Sequence, residues 1–166
     1  MIGRRPPQLA GPVAIWRLDQ ARHAATWSSG EGAYLFGGRW NSKGVRAVYC
    51  CLDPATATLE VAVHKGFRAL DVTPHVLTRA DIPDGAPIHV VRAESIPNDN
   101  WLHPCLPSAG QQAFGDALLA AHGCFLIPSV VSAHSWNFVF DAAKAPALIS
   151  SVEQERFALD TRLHPA

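Results

Sequence analysis

Runs of apolar residues divide the chain into short strands and two longer helices. Asp53 and Pro54 are suited to an N-cap and a first helical residue, so a helix is predicted to begin there and to end just before Gly66. A second helix is predicted over 108–122, and the tail from about Ser150 is expected to include a short helix. Runs of strand length cover 13–18, 45–51, 75–80, 87–91, 124–128 and 136–140.

Two to three helices among about six short strands, without regular alternation, predict an α+β fold with a mixed or antiparallel sheet. The length of 166 residues fits a single domain with a real core. Residues 1–12, which include two consecutive prolines, are interpreted as a flexible lead-in, and 13–166 as the domain. Residues 28–44 are rich in Gly and Ser and predict a long loop or a pair of turns, and long loops in compact domains often carry function.

The first helix contains one acidic residue, Glu60. Its apolar face is expected to be formed by Ala55, Leu59, Ala62 and Val63. Its polar stripe, at i, i+4 and i+8, is expected to be formed by Thr56, Glu60 and His64. Glu60 therefore has two interpretations: a solvated residue paired with His64, or a carboxylate placed beside a reacting centre, as in glycosyl chemistry.

Charge and cysteine content exclude several classes of protein. Fourteen basic and fourteen acidic residues give a net charge of zero, so a broad basic face for nucleic acid or an anionic membrane is not expected. The sequence shows no apolar run of transmembrane length and no signal-type segment, which favours a cytoplasmic protein. The four cysteines lack a C-x-x-C pair, and the eight histidines lack metal-ligand spacing, so reduced thiols and no metal site are expected.

The segment Gly37-Gly38-Arg39-Trp40-Asn41-Ser42 carries the strongest chemical signal. Two glycines allow a sharp turn or a close approach to a ligand. A guanidinium binds phosphate in a bidentate manner, and an aromatic ring stacks on flat bases. The combination favours a nucleotide-like ligand, although Gly30-x-Gly32 lacks a third glycine and the chain has no phosphate-binding G-x-x-x-x-G-K.

Several other polar residues have both a structural and a functional interpretation. Arg17 lies on an apolar strand and is expected to point either to solvent or into a pocket. Tyr49 fits an ordinary core position with its hydroxyl bonded to backbone. Ser129 and Asn137 fit turn or capping positions.

Taken together, eight pieces of the sequence resemble the RES domain family, which is named for its Arg, Glu and Ser. The order and the spacings agree from about residue 13 to 163. The matching pieces are Trp16-Arg17, Gly37-Gly38-Arg39-Trp40-Asn41-Ser42-x-Gly44, Val48-Tyr49, Leu59-Glu60, Gly115-Asp116, Ile127-Pro128-Ser129-Val130-Val131, Asn137 and Asp160-x-Arg162-Leu163.

The resemblance implies a toxin of a type II bacterial toxin–antitoxin pair, with a fold similar to ADP-ribosyltransferase domains and NAD as co-substrate. Some members degrade NAD by attack of water or phosphate, and at least one branch transfers ADP-ribose to a host protein. The implied partner is an Xre-like antitoxin that blocks the active site, and the toxin is expected to form a homodimer within the toxin–antitoxin heteromer. Mono-ADP-ribosyl transfer is the expected activity, with NAD glycohydrolysis or phosphorolysis as the alternative and a non-enzymatic protein-binding module as a third interpretation.

The resemblance also assigns roles to individual residues. Arg17 and Arg39 would hold the pyrophosphate, and Tyr49 would pack on the nicotinamide end. Glu60 would act at the reacting ribose. Ser129 would orient the nicotinamide or its ribose, and Trp40 and Asn41 would shape the loop or the ligand wall. The catalytic set implied in this way is Glu60, Arg39 and Tyr49.

The sequence departs from the family pattern at three positions. Cys50 and Cys51 follow the tyrosine where the family has small hydroxyl residues, and Thr58 stands where an aliphatic residue is usual. These departures concern the level of activity more than the fold.

Overall fold

A computed structural model describes residues 4–160 and 162 of the chain. Over these residues the chain forms seven strands and five α-helices, so the predicted α+β fold is confirmed. The strands are β1 (Val13–Gln20), β2 (Ala47–Cys51), β3 (His75–Ile82), β4 (His89–Val90), β5 (Cys124–Pro128), β6 (Trp136–Asp141) and β7 (Ser151–Phe157). The α-helices are α1 (Glu31–Phe36), α2 (Pro54–Lys65), α3 (Phe67–Val72), α4 (Ala109–His122) and α5 (Ala145–Leu148).

All seven strands belong to one sheet, in the order β4-β5-β6-β2-β1-β3-β7. Every neighbouring pair is antiparallel except β4 with β5, which is parallel. β1 pairs with β3 along its whole length, whereas its register with β2 consists of Trp16 opposite Cys51. The ladder of paired residues is therefore shortest near the middle of the sheet, between β1 and β2.

The two long helices lie on the same face of the sheet. Cys51, Asn137 and Glu60 are linked side chain to side chain, which places α2 on the face of β2 that carries Cys51. Tyr49 is two residues from Cys51, so it lies on the same face, where it packs in one apolar cluster with Leu119 of α4. α2 contacts β1 and β2, whereas α4 contacts β5 and β6, so the two helices cover different parts of this face.

The predicted start and end of α2 are confirmed, but its buried face differs from the prediction. The carboxylate of Asp53 accepts the backbone N–H of Thr56 at 2.7 Å and also its hydroxyl at 2.7 Å. Because that hydroxyl has a partner, Thr56 is buried together with Ala57 and Ala62, although it was expected in the polar stripe. Ala55 is exposed and Val63 is 61% exposed, so their assignment to the buried face was wrong.

Two other local predictions were wrong. The predicted loop 28–44 contains α1, six residues between Gly30 and Gly37, both of which have positive φ. The guanidinium of Arg46 lies over the ring of Tyr34, 4.4 Å from its centroid, and pairs with Glu31. These contacts hold a helix too short for its periodicity to be recognised.

The tail forms β7 rather than a helix, and it pairs with β3 from Asp81 opposite Ser151 to His75 opposite Phe157. Its charged, exposed sequence lacks the alternation of a half-buried strand, so pairing with β3 decides its structure. Thr161 and Leu163, part of the last family motif, lie outside the described residues. Within the described part of the chain, no helix combines the length and the apolar content that crossing a membrane requires.

The backbone of the Gly37–Ser42 segment packs directly on α4 at Gly115. A Cβ atom at Gly115 would lie 2.0 Å from the carbonyl oxygen of Trp40 and 2.7 Å from its Cα. These are backbone atoms, which cannot move without displacing the whole segment. Gly115 is therefore required by the close approach of α4 to this segment, which explains its place in the Gly115-Asp116 motif.

We expect Gly115→Ala to lower the free energy of unfolding by about 2 kcal/mol or more, because the clash outweighs the gain in helix propensity. The matched control is Gly110→Ala in the same helix, where a Cβ would meet the ring of Trp101 at an ordinary 3.5 Å. Urea denaturation of both variants measures the difference. Equal stability of the two variants would contradict the close approach.

Candidate active site

The segment with the strongest sequence signal folds into a tight turn. The backbone N–H of Gly38 donates to the carbonyl of Asn41 at 3.0 Å, so Arg39 and Trp40 occupy the centre of the turn. A Cβ on Gly38 would lie 2.6 Å from Asn41 Oδ1 and 2.7 Å from the Tyr49 hydroxyl. Glycine is needed at position 38 because two side chains occupy that space.

Asn41 is fully buried and uses both ends of its amide. The two protons of its Nδ2 group are shared among the carbonyls of Ala33, Ser42 and Val45, which lie at 3.0, 2.9 and 3.1 Å. Its Oδ1 accepts the Tyr49 hydroxyl at 2.6 Å. One side chain thus holds together the end of α1, the turn and the entry to β2.

The Tyr49 hydroxyl is engaged on both sides. It donates to Asn41 and accepts the backbone N–H of Trp40 at 3.0 Å. Burial raises the pKa of Tyr49 well above its ordinary value, so the phenol stays neutral and can act as a donor. This arrangement matches the structural interpretation of the hydroxyl, and the half-buried ring is the part of Tyr49 left to contact a ligand.

Two side chains of helix α4 form hydrogen bonds with the backbone of the turn. Asp116 Oδ1 accepts the backbone N–H of Ser42 at 3.0 Å, and Gln112 Nε2 donates to the carbonyl of Gly38 at 2.9 Å. Trp40 is 1% exposed and meets Phe114 edge to face, with ring centroids 6.2 Å apart. Trp40 therefore belongs to the core. Gln112 was not recognised from the sequence, because one glutamine on a helix gives no signal of what it bonds.

Glu60 lies at the centre of a second polar group. Its Oε1 accepts Nδ2 of Asn137 at 2.9 Å and the Ser129 hydroxyl at 3.4 Å. Its Oε2 lies 3.8 Å from Nε2 of His64, on the solvent side. The carboxylate side chain is 24% exposed. Three elements position this group: α2 carries Glu60, the end of β5 leads into Ser129, and β6 carries Asn137.

Ser129 is fully buried and has a fixed hydroxyl orientation. Its Oγ accepts the backbone N–H of Ser132 at 3.2 Å, which leaves the hydroxyl proton directed to Glu60. Asn137 is also buried, and its Oδ1 accepts the thiol of Cys51 at 3.5 Å. The residues named by the family resemblance, Glu60 and Ser129, are thus brought together, with Asn137 beside them.

Arg17 lies apart from the Glu60 group. Its Nε and one terminal nitrogen donate to the two oxygens of Asp19 at 2.7 and 2.9 Å, and the other terminal nitrogen donates to the carbonyl of Tyr49 at 2.8 Å. Burial opposes its charge, but the Asp19 carboxylate raises the pKa of Arg17 above its ordinary value. The spacing of Arg17 and Asp19, two residues apart on a strand, could have signalled this pair.

Arg39 is half-buried and contacts the loop before α4. It donates to the carbonyl of Cys105 at 3.0 Å and lies 3.9 Å from that thiol. A further arginine, Arg4, donates to the carbonyls of Ser129 and Leu102 at 3.2 and 3.3 Å. Arg4 was missed because it stands in the predicted lead-in, and only the folded chain brings it to Ser129.

Apart from Arg17, which is paired with Asp19, the predicted site residues form two groups. Arg39, Trp40, Asn41 and Tyr49 belong to the turn, and Glu60 and Ser129 belong to the polar group above Cys51. Among the residues that the structure describes, no three His, Cys, Asp or Glu side chains come together as a metal site.

Comparisons with known proteins identify a family whose domain covers most of the chain. The sequence profile of the RES domain matches residues 14–161. A protein named Toxin Res from Photorhabdus laumondii is 30% identical over 154 residues, covering 91% of this chain and 97% of the relative. A second Toxin Res, from Yersinia enterocolitica, is 28% identical over 155 residues, covering 91% and 99%.

A third relative is named Prs ADP-ribosylating toxin and comes from Sphingobium sp. It is 37% identical over 74 residues, which are 43% of this chain and 45% of the relative. Among solved structures, the M. tuberculosis MbcT–MbcA toxin–antitoxin complex contains a chain that superimposes with a TM-score of 0.67 over 87% of both chains, at 21% identity. At that identity the likeness establishes a shared fold.

We expect Tyr49→Phe to lower the free energy of unfolding by about 1–3 kcal/mol, because Asn41 Oδ1 and the N–H of Trp40 would both lose a buried partner. The matched control is Tyr34→Phe, the other tyrosine of the chain, whose side chain is exposed on α1. Chemical denaturation compares the two variants. If both changed stability equally, the buried hydroxyl would not be what holds the turn.

Proposed function

The chain belongs to the RES domain family, and from that membership and the Glu60 group we propose that it is the toxin of a type II toxin–antitoxin pair. The proposed reaction cleaves the nicotinamide–ribose bond of NAD and transfers ADP-ribose to a host protein. NAD is the co-substrate, and the proposed place of action is the bacterial cytoplasm. The relative named Prs ADP-ribosylating toxin supports this choice of reaction.

The observation that carries the proposal is the fixed, partly exposed carboxylate of Glu60. Breaking the nicotinamide–ribose bond builds positive charge on the ribose, and a carboxylate positioned beforehand stabilises that charge. Asn137 and Ser129 fix Oε1, so Oε2 remains available on the solvent side, where His64 lies. A glutamate that served only as a solvated surface residue would not need two buried hydrogen-bond partners.

The surrounding residues fit the rest of NAD. The guanidinium of Arg39 is exposed next to the turn and can reach a phosphate. The side chain of Arg17 is 30% exposed and is already paired with Asp19. It therefore contributes positive charge between β1 and β2, but its guanidinium is not free to bind a phosphate in a bidentate manner. The ring of Tyr49 lies on the same face as Glu60 and offers a flat surface for the nicotinamide end.

The proposed partner is an Xre-like antitoxin that covers the Glu60 group and the Arg39 turn, with homodimerisation of the toxin in the complex. The solved structure that shares the fold is a toxin–antitoxin complex, which supports this choice of partner. On this chain, Leu35 and Phe36 are exposed at the end of α1, directly before the Gly37–Gly38 turn. An apolar surface beside the Arg39 turn suits a protein that must cover it.

We expect Glu60→Ala to lose about 100-fold or more in NAD turnover while remaining folded, the size of loss typical when a pre-positioned electrostatic group is removed. The control is Glu155→Gln, on the exposed edge strand β7, which should keep full turnover. Nicotinamide release from NAD measures both. Normal release by Glu60→Ala would exclude the proposed role.

The acceptor is identified in the same assay by following labelled ADP-ribose in a cell extract. Label on a protein band supports ADP-ribosyl transfer. Nicotinamide release with small soluble products alone would favour a glycohydrolase or phosphorylase. No release and no NAD-induced rise in melting temperature would favour a non-enzymatic binding module.

A further inference from the structure

Asn137 and Cys51 stand directly behind Glu60, and neither is exposed enough to meet a substrate. Asn137 is 9% exposed and Cys51 is 4% exposed. They face each other across the β2–β6 pair, where Cys51 is in register with Asn137. Cys51 is also one of the three departures from the family pattern. Their position suggests that they act on Glu60 and not on the ligand.

We propose that Asn137 is a positioning residue for the Glu60 carboxylate and that the thiol of Cys51 fixes the orientation of its amide. This inference rests on the proposed function for its kinetic consequences, but the geometry on which it depends is independent of any substrate. The chain of contacts runs from Cys51 Sγ to Asn137 Oδ1 at 3.5 Å and from Asn137 Nδ2 to Glu60 Oε1 at 2.9 Å.

The orientation of the amide follows from which atoms can donate. An ionised carboxylate only accepts, so the amide must present its NH2 group to Glu60 and its oxygen to the opposite side. The partner on that side must then be a donor, and a thiol is one. Burial raises the pKa of the Cys51 thiol, and the charge of Glu60 raises it further, so Cys51 keeps the proton that it donates.

The groups around the pair are consistent with this arrangement. Asp53 and the neighbouring Cys50 add to the effects that keep Cys51 protonated, whereas the positive charge of Arg17 opposes them. His64 faces the other oxygen of Glu60 from the solvent side, and Ser129 shares Oε1 with Asn137. Among the residues that the structure describes, Asn137 is the one that bonds both Glu60 and a side chain of a neighbouring strand, namely Cys51 of β2.

The neighbouring cysteine provides a matched control. Cys50 is as buried as Cys51, but it lies in the apolar cluster on the opposite face of the sheet, with Ile15 and Phe138. Replacing either cysteine by alanine removes the same sulfur atom from the interior. We therefore expect Cys50→Ala and Cys51→Ala to lower the melting temperature by a similar few degrees.

Their effects on catalysis should differ. We expect Cys51→Ala to reduce kcat for NAD cleavage about three- to tenfold and Asn137→Leu about ten- to a hundredfold, the range seen when a group that orients a reactive ligand is removed, with KM for NAD changed by less than about twofold. Cys50→Ala should keep wild-type kcat. Cys51→Ser should restore activity, because it returns a donor of similar size.

A change of charge gives a readout that a purely structural role would not produce. Asn137→Asp places a second carboxylate 2.9 Å from Glu60. Two carboxylates at that distance share a proton, so the acid limb of the pH–rate profile should move to higher pH by about one unit or more. Unchanged kcat in Asn137→Leu, or an equal loss in the Cys50→Ala and Cys51→Ala variants, would overturn the proposal.

A measurement on the free protein separates this inference from the proposed function. The side-chain amide protons of Asn137 should exchange slowly with water in the wild type and in Cys50→Ala, and faster in Cys51→Ala, as followed by 15N-edited NMR with Asn137→Leu to identify the signals. Equal exchange in the two cysteine variants overturns the inference even if the protein cleaves NAD. If the wild type cleaves no NAD, the proposed function fails, and the exchange measurement alone decides the inference.

Discussion

The buried amide of Asn41 is the interaction on which the geometry of the candidate site depends. Its four hydrogen bonds tie the end of α1, the Gly38–Asn41 turn and the start of β2 to a single side chain, and one of them fixes the hydroxyl of Tyr49. A buried polar network is stable only when all its members are satisfied, and this one is. The backbone that carries the half-buried Arg39 is therefore held in place by interactions within the protein.

Close packing at two glycines and hydrogen bonds to buried side chains hold the rest of the site. Gly38 leaves room for two side chains, and Gly115 leaves room for the backbone of Trp40, so α4 and β2 approach the turn from opposite sides. Glu60 belongs to a different element but is held against the same sheet by Asn137 and Ser129. A site of this kind is pre-organised, which is what electrostatic stabilisation of a developing charge requires.

Local signals in the sequence predicted α2, α4 and most of the strands. For the two helices, Asp53 and Ser108 cap the N-termini and a glycine follows each last residue, and these signals act within a few residues. The same reasoning failed for β7 and for the buried face of α2, which depend on pairing with β3 and on the bond between Thr56 and Asp53. The Arg39 segment and Glu60 were predicted to belong to the site, largely through the resemblance of motifs, and this stays a prediction. That Trp40 is core and Asn41 a structural centre could not be foreseen, because burial is a property of the whole fold.

The residues of the Glu60 group are far apart along the chain and are therefore synthesised at different times. Glu60 precedes Ser129 by 69 positions and Asn137 by 77, and β6 must pair with β2 before either can reach it. A growing chain therefore carries its acidic residue on an early helix long before the groups that orient it leave the ribosome. In a protein with the proposed activity, the groups that orient Glu60 would therefore be in place only once the chain is nearly complete.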